Sequence, residues 1–260
     1  MLPALFLSHG SPMMALMDTP ARDFLMGLGG LLPRPKAILV ASAHWETQTP
    51  MLNAPARNDT IHDFYGFPKE LYTLHYAPPT APELAERVAQ SLREAGFAAG
   101  IDTARGLDHG AWVPLLLAYP QAEIPVLQLS VQSHLGAAYH HALGAALAPL
   151  RAEGVLVVGS GSFTHDLRRF RRGMPEIDAP ETPDVTAFSD WMDEKLRAGD
   201  VAALVDYRRL APFAAEEHPT EEHLLPLYVA MGAAGAGAAV KRLHSSTEYS
   251  FLRMDAYEFG

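Results

Sequence analysis

Residues 154–165 read GVLVVGSGSFTH, an apolar run over 154–158 that passes through small polar residues to a histidine, and this stretch decides the fold. Three further short apolar runs have the same character, at residues 4–7, 37–41 (AILVA) and 124–131 (IPVLQLSV). Near-continuous apolar runs are typical of parallel strands that are covered on both faces. We therefore predict four buried strands in one mostly parallel sheet.

Amphipathic segments separate these runs and predict helices that flank the sheet. The first of them opens with Thr80 and Glu83 in the spacing of a capping box. Strands that alternate with helices indicate an α/β fold with a central, mostly parallel sheet. No linker-like composition interrupts the chain, so we expect a single domain over residues 1–260, with residues 232–239 (GAAGAGAA) as a surface turn. The predicted helices cover residues 80–95, 137–150 and 182–198.

The composition excludes several classes of function. The 260 residues include no cysteine and 12 histidines, and 20 basic against 30 acidic residues give a formal charge of −10. Without cysteine, disulfides, thiolate metal sites and cysteine nucleophiles are excluded. The acidic balance argues against nucleic acid or an anionic membrane as a partner. No window approaches the roughly 18 apolar residues of a membrane span, and residues 1–7 lack the basic start of a secretory signal, so we expect a soluble, cytoplasmic protein.

Three histidines lie where the predicted strands end. His9 follows the first apolar run by two residues, His44 follows the second by three, and His165 follows the fourth by seven. Ligands of open α/β sheets bind beyond the carboxyl ends of the strands, so three strands deliver an imidazole to one edge. The glycines of residues 159–164 would let the backbone approach a bound group closely. A lone histidine is more often a hydrogen-bonded structural residue, but three at one edge predict a shared metal or catalytic site.

Two further histidines lie at the start of predicted helical segments. His109 has Asp108 beside it, and that carboxylate is either an orienting neighbour or a solvent-exposed residue. His223 follows Glu221 and Glu222, which suit the first turn of a helix because of its dipole. Either glutamate is also an alternative carboxylate ligand.

Residues 62–68 (HDFYGFP) form a loop with three aromatic residues. The loop either walls a pocket for a planar substrate or covers an aromatic mini-core of its own. Signatures of other chemistries are absent, since the chain has no G-x-S-x-G elbow, no H-E-x-x-H and no completed phosphate-binding glycine motif. We expect His134, His218 and His244 at the surface. The basic run at residues 168–172 (RRFRR) is expected to be a solvated face.

Six segments, taken in order, resemble the class III extradiol ring-cleavage dioxygenases related to the catalytic subunit of protocatechuate 4,5-dioxygenase. Within that class they are most similar to the 4,5-DOPA extradiol dioxygenase family. Each segment alone is a weak signal, but six in family order across nearly the whole chain are specific. The segments are 7–12 (LSHGSP), 41–45 (ASAHW), 61–68 (IHDFYGFP), 107–112 (LDHGAW), 159–165 (GSGSFTH) and 219–226 (PTEEHLLP).

This resemblance implies a non-haem metal centre at the C-terminal edge of the strands. It implies that His165 is either a fourth ligand or an acid/base beside the metal, and that His109 is a catalytic acid/base. The iron triad of extradiol enzymes usually includes a carboxylate, so Glu222 is an alternative to His223 as third ligand. The implied metal ligands are His9, His44 and His223.

The resemblance also implies the reaction. A DOPA-like catechol and O₂ would be the substrates, with Fe(II) for turnover and Zn(II) as an alternative bound metal, and the product would be a semialdehyde. The expected substrate contacts are Ser11, His62, Phe64 and Tyr65. Two other functions remain open, a non-catalytic binding or signalling protein of the same fold that retains the metal site, and a zinc hydrolase that uses an activated water. We expect a monomer or a small homo-oligomer.

Overall fold

The apolar runs form the centre of one sheet. The computed structural model describes residues 1–260. Its ten strands are β1 Ala4–Ser8, β2 Ala37–Glu46, β3 Met51–Asn53, β4 Gly100–Asp102, β5 Val126–Val131, β6 Val155–Gly161, β7 Val240–His244, β8 Thr247–Glu248, β9 Leu252–Arg253 and β10 Ala256–Phe259. Eight of them form a sheet in the order β4-β3-β5-β2-β6-β1-β10-β7, and β8 pairs separately with β9.

The four predicted strands are its parallel core. β2 pairs in parallel with both β5 and β6, and β6 pairs in parallel with β1. The outer strand β10 runs antiparallel to β1, and β7 antiparallel to β10. The prediction of an α/β fold with a mostly parallel sheet is therefore confirmed. The extent of one domain over residues 1–260 stays a prediction, although strands from both ends of the chain share this sheet.

Helices cover both faces of the sheet because alternate strand residues are apolar on either side. The helices are α1 Pro20–Leu31, α2 Pro82–Glu94, α3 His109–Ala118, α4 Gly136–Leu147, α5 Pro149–Ala152, α6 Pro183–Ala198, α7 Val201–Val205, α8 Tyr207–Leu210, α9 Ala214–Glu217 and α10 Leu225–Ala234, with short 3₁₀ turns at Pro12–Ala15, Lys69–Thr73, Ser133–Leu135 and Leu167–Arg172. None of these helices combines the length and the apolar character that a bilayer crossing requires. On one face of the sheet Phe6 and Leu39 pack with residues of α2, α4, α6 and α10, and on the other Leu5 and Val40 pack with residues of α1 and α3.

Two local predictions were wrong. The capping box at Thr80 does not form, because α2 begins at Pro82 and its N-cap, Ala81, makes no side-chain hydrogen bond. Proline fixes a helical φ at the first turn and lacks an N–H that would need a cap. The turn predicted at residues 232–239 begins later, at Gly235, because Gly232 is a buried residue of α10 whose Cα packs against the carbonyl of His141 in α4.

Candidate metal centre and acid/base site

Three histidine rings meet at the C-terminal edge of the parallel strands. His9 directly follows β1, His44 lies in the last part of β2, where pairing with β5 becomes irregular, and His223 precedes α10 by two residues. The Nε2 atom of His44 lies 2.9 Å from Nε2 of His9 and 3.2 Å from Nε2 of His223. His9 and His223 are buried and His44 is partly buried. The structure thus brings these three predicted residues together.

The tautomers of two of these rings follow from their hydrogen bonds. Ser160 Oγ donates its single hydrogen to the carbonyl of Gly110, so its contact with Nδ1 of His9 at 3.0 Å must be one in which the imidazole donates. The carboxylate of Glu222 accepts from Nδ1 of His223 at 3.0 Å. In both rings the proton lies on Nδ1, and the lone pair of Nε2 faces the other rings.

The surroundings keep the three imidazoles neutral. Burial, and then the proximity of other imidazoles, lowers the pKa of His44 to about 3 and lowers the pKa of His9 and of His223 well below the ordinary value. Neutral imidazole is the form that binds a metal. A single proton on Nε2 of His44 could bond only one of the two lone pairs that face it, whereas a cation among the three nitrogens would interact with all of them.

The spacing of the three nitrogens also fits a metal ion. Two nitrogens at about 2.0–2.1 Å from a metal and about 90–109° apart are about 3 Å from each other, which matches the observed separations of 2.9 and 3.2 Å. A hydrogen-bond acceptor on the second ring nitrogen is typical of metal-binding histidines. The donor set of three imidazoles suits Fe(II) and Zn(II) alike.

The position of His223 depends on two glycines of β6. A Cβ on Gly159 would lie 2.0 Å from the carbonyl oxygen of Pro226, and one on Gly161 would lie 2.0 Å from that of His223. The N–H of Ser162 donates to the same His223 carbonyl at 2.9 Å. The expectation that these glycines admit a bound group is corrected here, because the backbone that approaches them belongs to the chain itself.

His109 is the first residue of α3, and a carboxylate from another loop holds it. Oδ1 of Asp63 accepts the backbone N–H of His109, and Oδ2 accepts from its Nδ1, both at 2.9 Å. The ring centroid of His109 lies 3.9 Å from that of His44 and 5.4 Å from that of His9. Burial raises the pKa of Asp63, but the hydrogen bonds from His109 outweigh it and leave that pKa below its ordinary value.

Asp108, the neighbour in sequence, does not orient His109. It is fully buried, accepts from Ser42 Oγ at 2.7 Å and from Arg105 at 3.0 Å, and caps α3 through the N–H of Ala111. A capping residue directs its carboxylate to the N–H groups of the first helical turn. Both sequence readings of Asp108 are therefore corrected, since it is neither exposed nor bonded to the imidazole.

Phe64 of the aromatic loop packs against the site, and His62 of the same loop packs in a small aromatic core beside it. The ring of Phe64 meets that of His109 edge-on, with centroids 5.7 Å apart. His62 bonds the carbonyl of Leu74 at 3.1 Å and packs against Trp112 behind that ring. Tyr65 is 92% exposed. Of the three loop residues predicted to contact substrate, only Phe64 packs against a histidine of the central group.

The ring of His165 stacks on that of His223, one of the three histidines of the candidate metal centre. Its ring is parallel to that of His223 within 15°, with centroids 3.4 Å apart, and its backbone N–H donates to the carbonyl of Glu217 at 2.8 Å. Neither ring nitrogen hydrogen-bonds to another group of the protein. Burial, and then the proximity of His218 and other imidazoles, lowers the pKa of His165 to about 3. The ring is therefore neutral near pH 7.

Ser11 and Glu222 both accept hydrogen bonds from neighbouring residues. Ser11 caps the Pro12–Ala15 turn by accepting from the N–H of Met13 at 3.3 Å. Glu222 Oε1 accepts from Thr220 and from His223, both at 3.0 Å. Its carboxylate thus faces the outer nitrogen of a candidate ligand and lies behind that ring, where it orients the imidazole.

Two expectations about surface residues were wrong. His218 is fully buried, and its Nε2 contacts the carbonyl of Phe163 at 3.0 Å. His244 is half-buried and stacks on Phe24 at 5.0 Å between centroids. His134 is exposed as expected. Periodicity does not reveal the burial of a residue that lies between short helices.

The basic run is solvated only in part. Arg169 is 17% exposed and forms ion pairs with Asp184 and Glu217 at 2.6 Å and with Asp166 at 3.5 Å. Its neighbours Arg171 and Arg172 are exposed. The guanidinium of Arg169 therefore ties the segment after His165 to two other parts of the chain.

Sequence reasoning missed two residues that shape the site, Asp63 and Ser160. Asp63 lies in the segment 61–68 and Ser160 in the segment 159–165. Ser160 lies between two glycines at the end of a strand, and Asp63 is the only carboxylate of the aromatic loop. A polar residue between two glycines at a strand end, and a single carboxylate in an aromatic loop, are the sequence features that could have indicated Ser160 and Asp63.

Comparison with known proteins finds relatives along nearly the whole chain. Residues 3–253 match the family described as the catalytic LigB subunit of aromatic ring-opening dioxygenase. A 4,5-DOPA dioxygenase extradiol of Beta vulgaris is 46% identical over 258 residues, 98% of this chain and 95% of that protein. One of Escherichia coli K12 is 41% identical over 89% of this chain and 85% of its own length. A crystal structure of an uncharacterized Escherichia coli K12 protein superposes with a TM-score of 0.80 at 33% identity and covers 100% of both chains.

Proposed function

The chain belongs to the LigB family of aromatic ring-opening dioxygenases and is an extradiol ring-cleavage dioxygenase, and from this premise we propose that its substrate is a catechol with a DOPA-like side chain and its metal is Fe(II). The proposed ligands are His9, His44 and His223. The observation that carries the proposal is the meeting of three Nε2 atoms, of which those of His9 and His223 carry lone pairs, beside a fourth imidazole that Asp63 holds.

If three imidazoles held Fe(II), positions on the metal would remain open for a catechol and O₂. The metal would also lower the pKa of the catechol hydroxyls. The part of the protein is then to move protons and to exclude water. Asp63 accepts from Nδ1 of His109, so Nε2 of His109 is the nitrogen free to take a proton from the catechol. General acid–base help of this kind contributes about 10²–10⁴-fold to the rate.

We assign His165 to the second proton transfer. Its ring nitrogens have no hydrogen-bond partner within the protein, and the ring lies face to face with His223, a proposed ligand. A neutral ring held in this way could relay a proton to the substrate, accepting one proton on one nitrogen as it donates from the other, while it remains outside the ligand set. Of the two readings of His165, an acid/base beside the metal or a fourth ligand, we propose the first.

The substrate assignment rests on relatives and on the aromatic loop. Several relatives at 40–46% identity are named 4,5-DOPA dioxygenase extradiol. Phe64 would pack against the catechol ring and keep water away from His109. We propose that Ser11, His62 and Tyr65 contribute to recognition of the substrate side chain.

The test is anaerobic reconstitution with Fe(II), followed by an oxygen electrode and a panel of catechols that includes DOPA. We expect O₂ uptake equal to the catechol consumed and a yellow semialdehyde. The zinc-loaded protein is the control, because Zn(II) has no redox chemistry and should consume no O₂. Reconstituted protein that consumes no O₂ with any catechol would contradict the proposal. Hydrolysis of an ester or amide without O₂ would favour the hydrolase alternative, and catechol binding without turnover would favour a binding protein.

A further inference from the structure

We propose that Asp63 is a positioning residue of the reaction, one that fixes the ring orientation and the tautomer of His109 so that Nε2 faces the substrate. This inference rests on the proposed function, since it assigns a role toward the histidine that we propose as the base. Asp63 itself lies in the aromatic loop, away from the three proposed ligands in sequence.

The two hydrogen bonds together leave His109 one arrangement. Oδ1 of Asp63 accepts the backbone N–H at 2.9 Å and Oδ2 accepts from the ring Nδ1 at 2.9 Å. A carboxylate without a proton offers only acceptors, so both partners must donate, and the ring proton must lie on Nδ1. Because the same carboxylate holds the backbone and the ring, rotation of the ring would break one bond while the other stays.

The other contacts of Asp63 do not explain the residue as a structural ion pair. Its side chain is 22% exposed, and the titratable side chains that it contacts are His109, at 2.9 Å, and His44, whose Nδ1 is 3.6 Å away. No lysine or arginine pairs with it. The next residue, Phe64, packs its ring edge-on against the same imidazole. One loop therefore supplies both the acceptor that sets the tautomer and the wall that limits movement of the ring.

The first test compares three variants of the Fe(II)-loaded enzyme. Asp63→Asn keeps the shape but replaces one acceptor by an NH₂ donor, so we expect kcat to fall about 10²–10⁴-fold while KM changes by less than about three-fold. Asp63→Glu restores two acceptor oxygens and should recover about ten-fold or more of that loss. The matched control is Asp59→Asn, because Asp59 is 65% exposed and pairs only with Arg57. It should behave as wild type.

The second test reads the tautomer directly, without turnover. ¹⁵N–¹H correlation spectra of imidazole-labelled, zinc-loaded protein distinguish Nδ1–H from Nε2–H rings, and the His109→Gln variant identifies the signal of His109 by its absence. We expect Nδ1–H in the wild type and in Asp59→Asn, and a substantial Nε2–H population in Asp63→Asn.

Several results would overturn the inference. An unchanged tautomer in Asp63→Asn, or a kcat within about three-fold of wild type, would show that Asp63 does not position the base. Loss of zinc in Asp63→Asn to the extent seen in His44→Ala would assign the carboxylate to the metal centre instead. If the wild type consumes no O₂ with any catechol, the proposed function fails, and the spectra still decide whether Asp63 sets the orientation of His109.

Discussion

Replacement of Ser160 by alanine should weaken metal binding much more than its small size suggests. Ser160 is fully buried, donates to the carbonyl of Gly110 and accepts from Nδ1 of His9 at 3.0 Å. The variant Ser160→Ala would leave both partners buried without a hydrogen bond. Each such group costs about 1–3 kcal/mol. Loss of the acceptor also frees the imidazole to move its proton to Nε2, the nitrogen that we assign to the metal.

The effect on affinity follows from that loss. Removing the hydrogen-bond partner of a metal-binding histidine typically costs 10–100-fold in affinity, about 1.4–2.7 kcal/mol. We therefore expect the Kd of the zinc complex to rise by about one to two orders of magnitude in Ser160→Ala. Competition with a chromophoric chelator measures that Kd, and the melting temperature of the metal-free protein measures the separate cost to folding.

Ser162→Ala is the matched control for this experiment. Ser162 is also buried and lies two residues further along. Its hydroxyl donates to the carbonyl of Thr164 at 2.7 Å and contacts no histidine ring, and alanine keeps the backbone N–H that donates to the carbonyl of His223. Its loss should lower stability by about 1 kcal/mol and leave the zinc Kd unchanged. Equal zinc affinity in Ser160→Ala and wild type would refute the reasoning that this hydroxyl sets the tautomer of His9.

The remaining predictions concern turnover, packing, metal removal and acid. His109→Ala should abolish O₂ uptake with a catechol while metal analysis finds the metal still bound, and loss of the metal would contradict its assignment as a base. A Cβ on Gly110 would lie 2.6 Å from Oγ of Ser42 and 3.0 Å from Cδ2 of His44, so Gly110→Ala should cost about 1–3 kcal/mol by thermal melting and weaken zinc binding. Chelation of zinc held at 100-fold excess over its Kd should remove about 2.7 kcal/mol of stability, visible as a drop of several degrees in melting temperature. Burial raises the pKa of Asp184, but hydrogen bonds that include one from Arg169 outweigh it and lower that pKa from 3.8 to about 2. The ionised form of Asp184 therefore stabilises the fold above about pH 4. The melting temperature of Asp184→Asn should be below that of the wild type near neutral pH, and the difference should shrink as the pH falls toward 2.

The strands and the edge at which the histidines meet were predictable, but the partners of the side chains were not. Four apolar runs sufficed for the parallel core because buried parallel strands need no alternation. Strand ends then placed His9 and His44 at the same edge. The choice between Asp63 and Asp108 as partner of His109 depended on tertiary structure. The carboxylate of Asp108 caps α3, and the carboxylate that accepts from the ring comes from a distant loop. The burial of His218 likewise depends on how short helices pack, which no local period encodes.

The metal centre requires more than the rule that ligands bind at the ends of strands. That rule brings His9 and His44 together, but His223 comes from a segment that belongs to no strand. The segment reaches the edge because β6 ends in Gly159 and Gly161, whose missing side chains let the carbonyls of Pro226 and His223 approach to a distance that any Cβ would block. Ser160 lies between these two glycines. Because successive strand residues alternate in direction, its side chain points to the opposite face of the sheet, where it bonds His9. A three-residue pattern of glycine, serine and glycine thus positions one candidate ligand by packing and a second by hydrogen bonding.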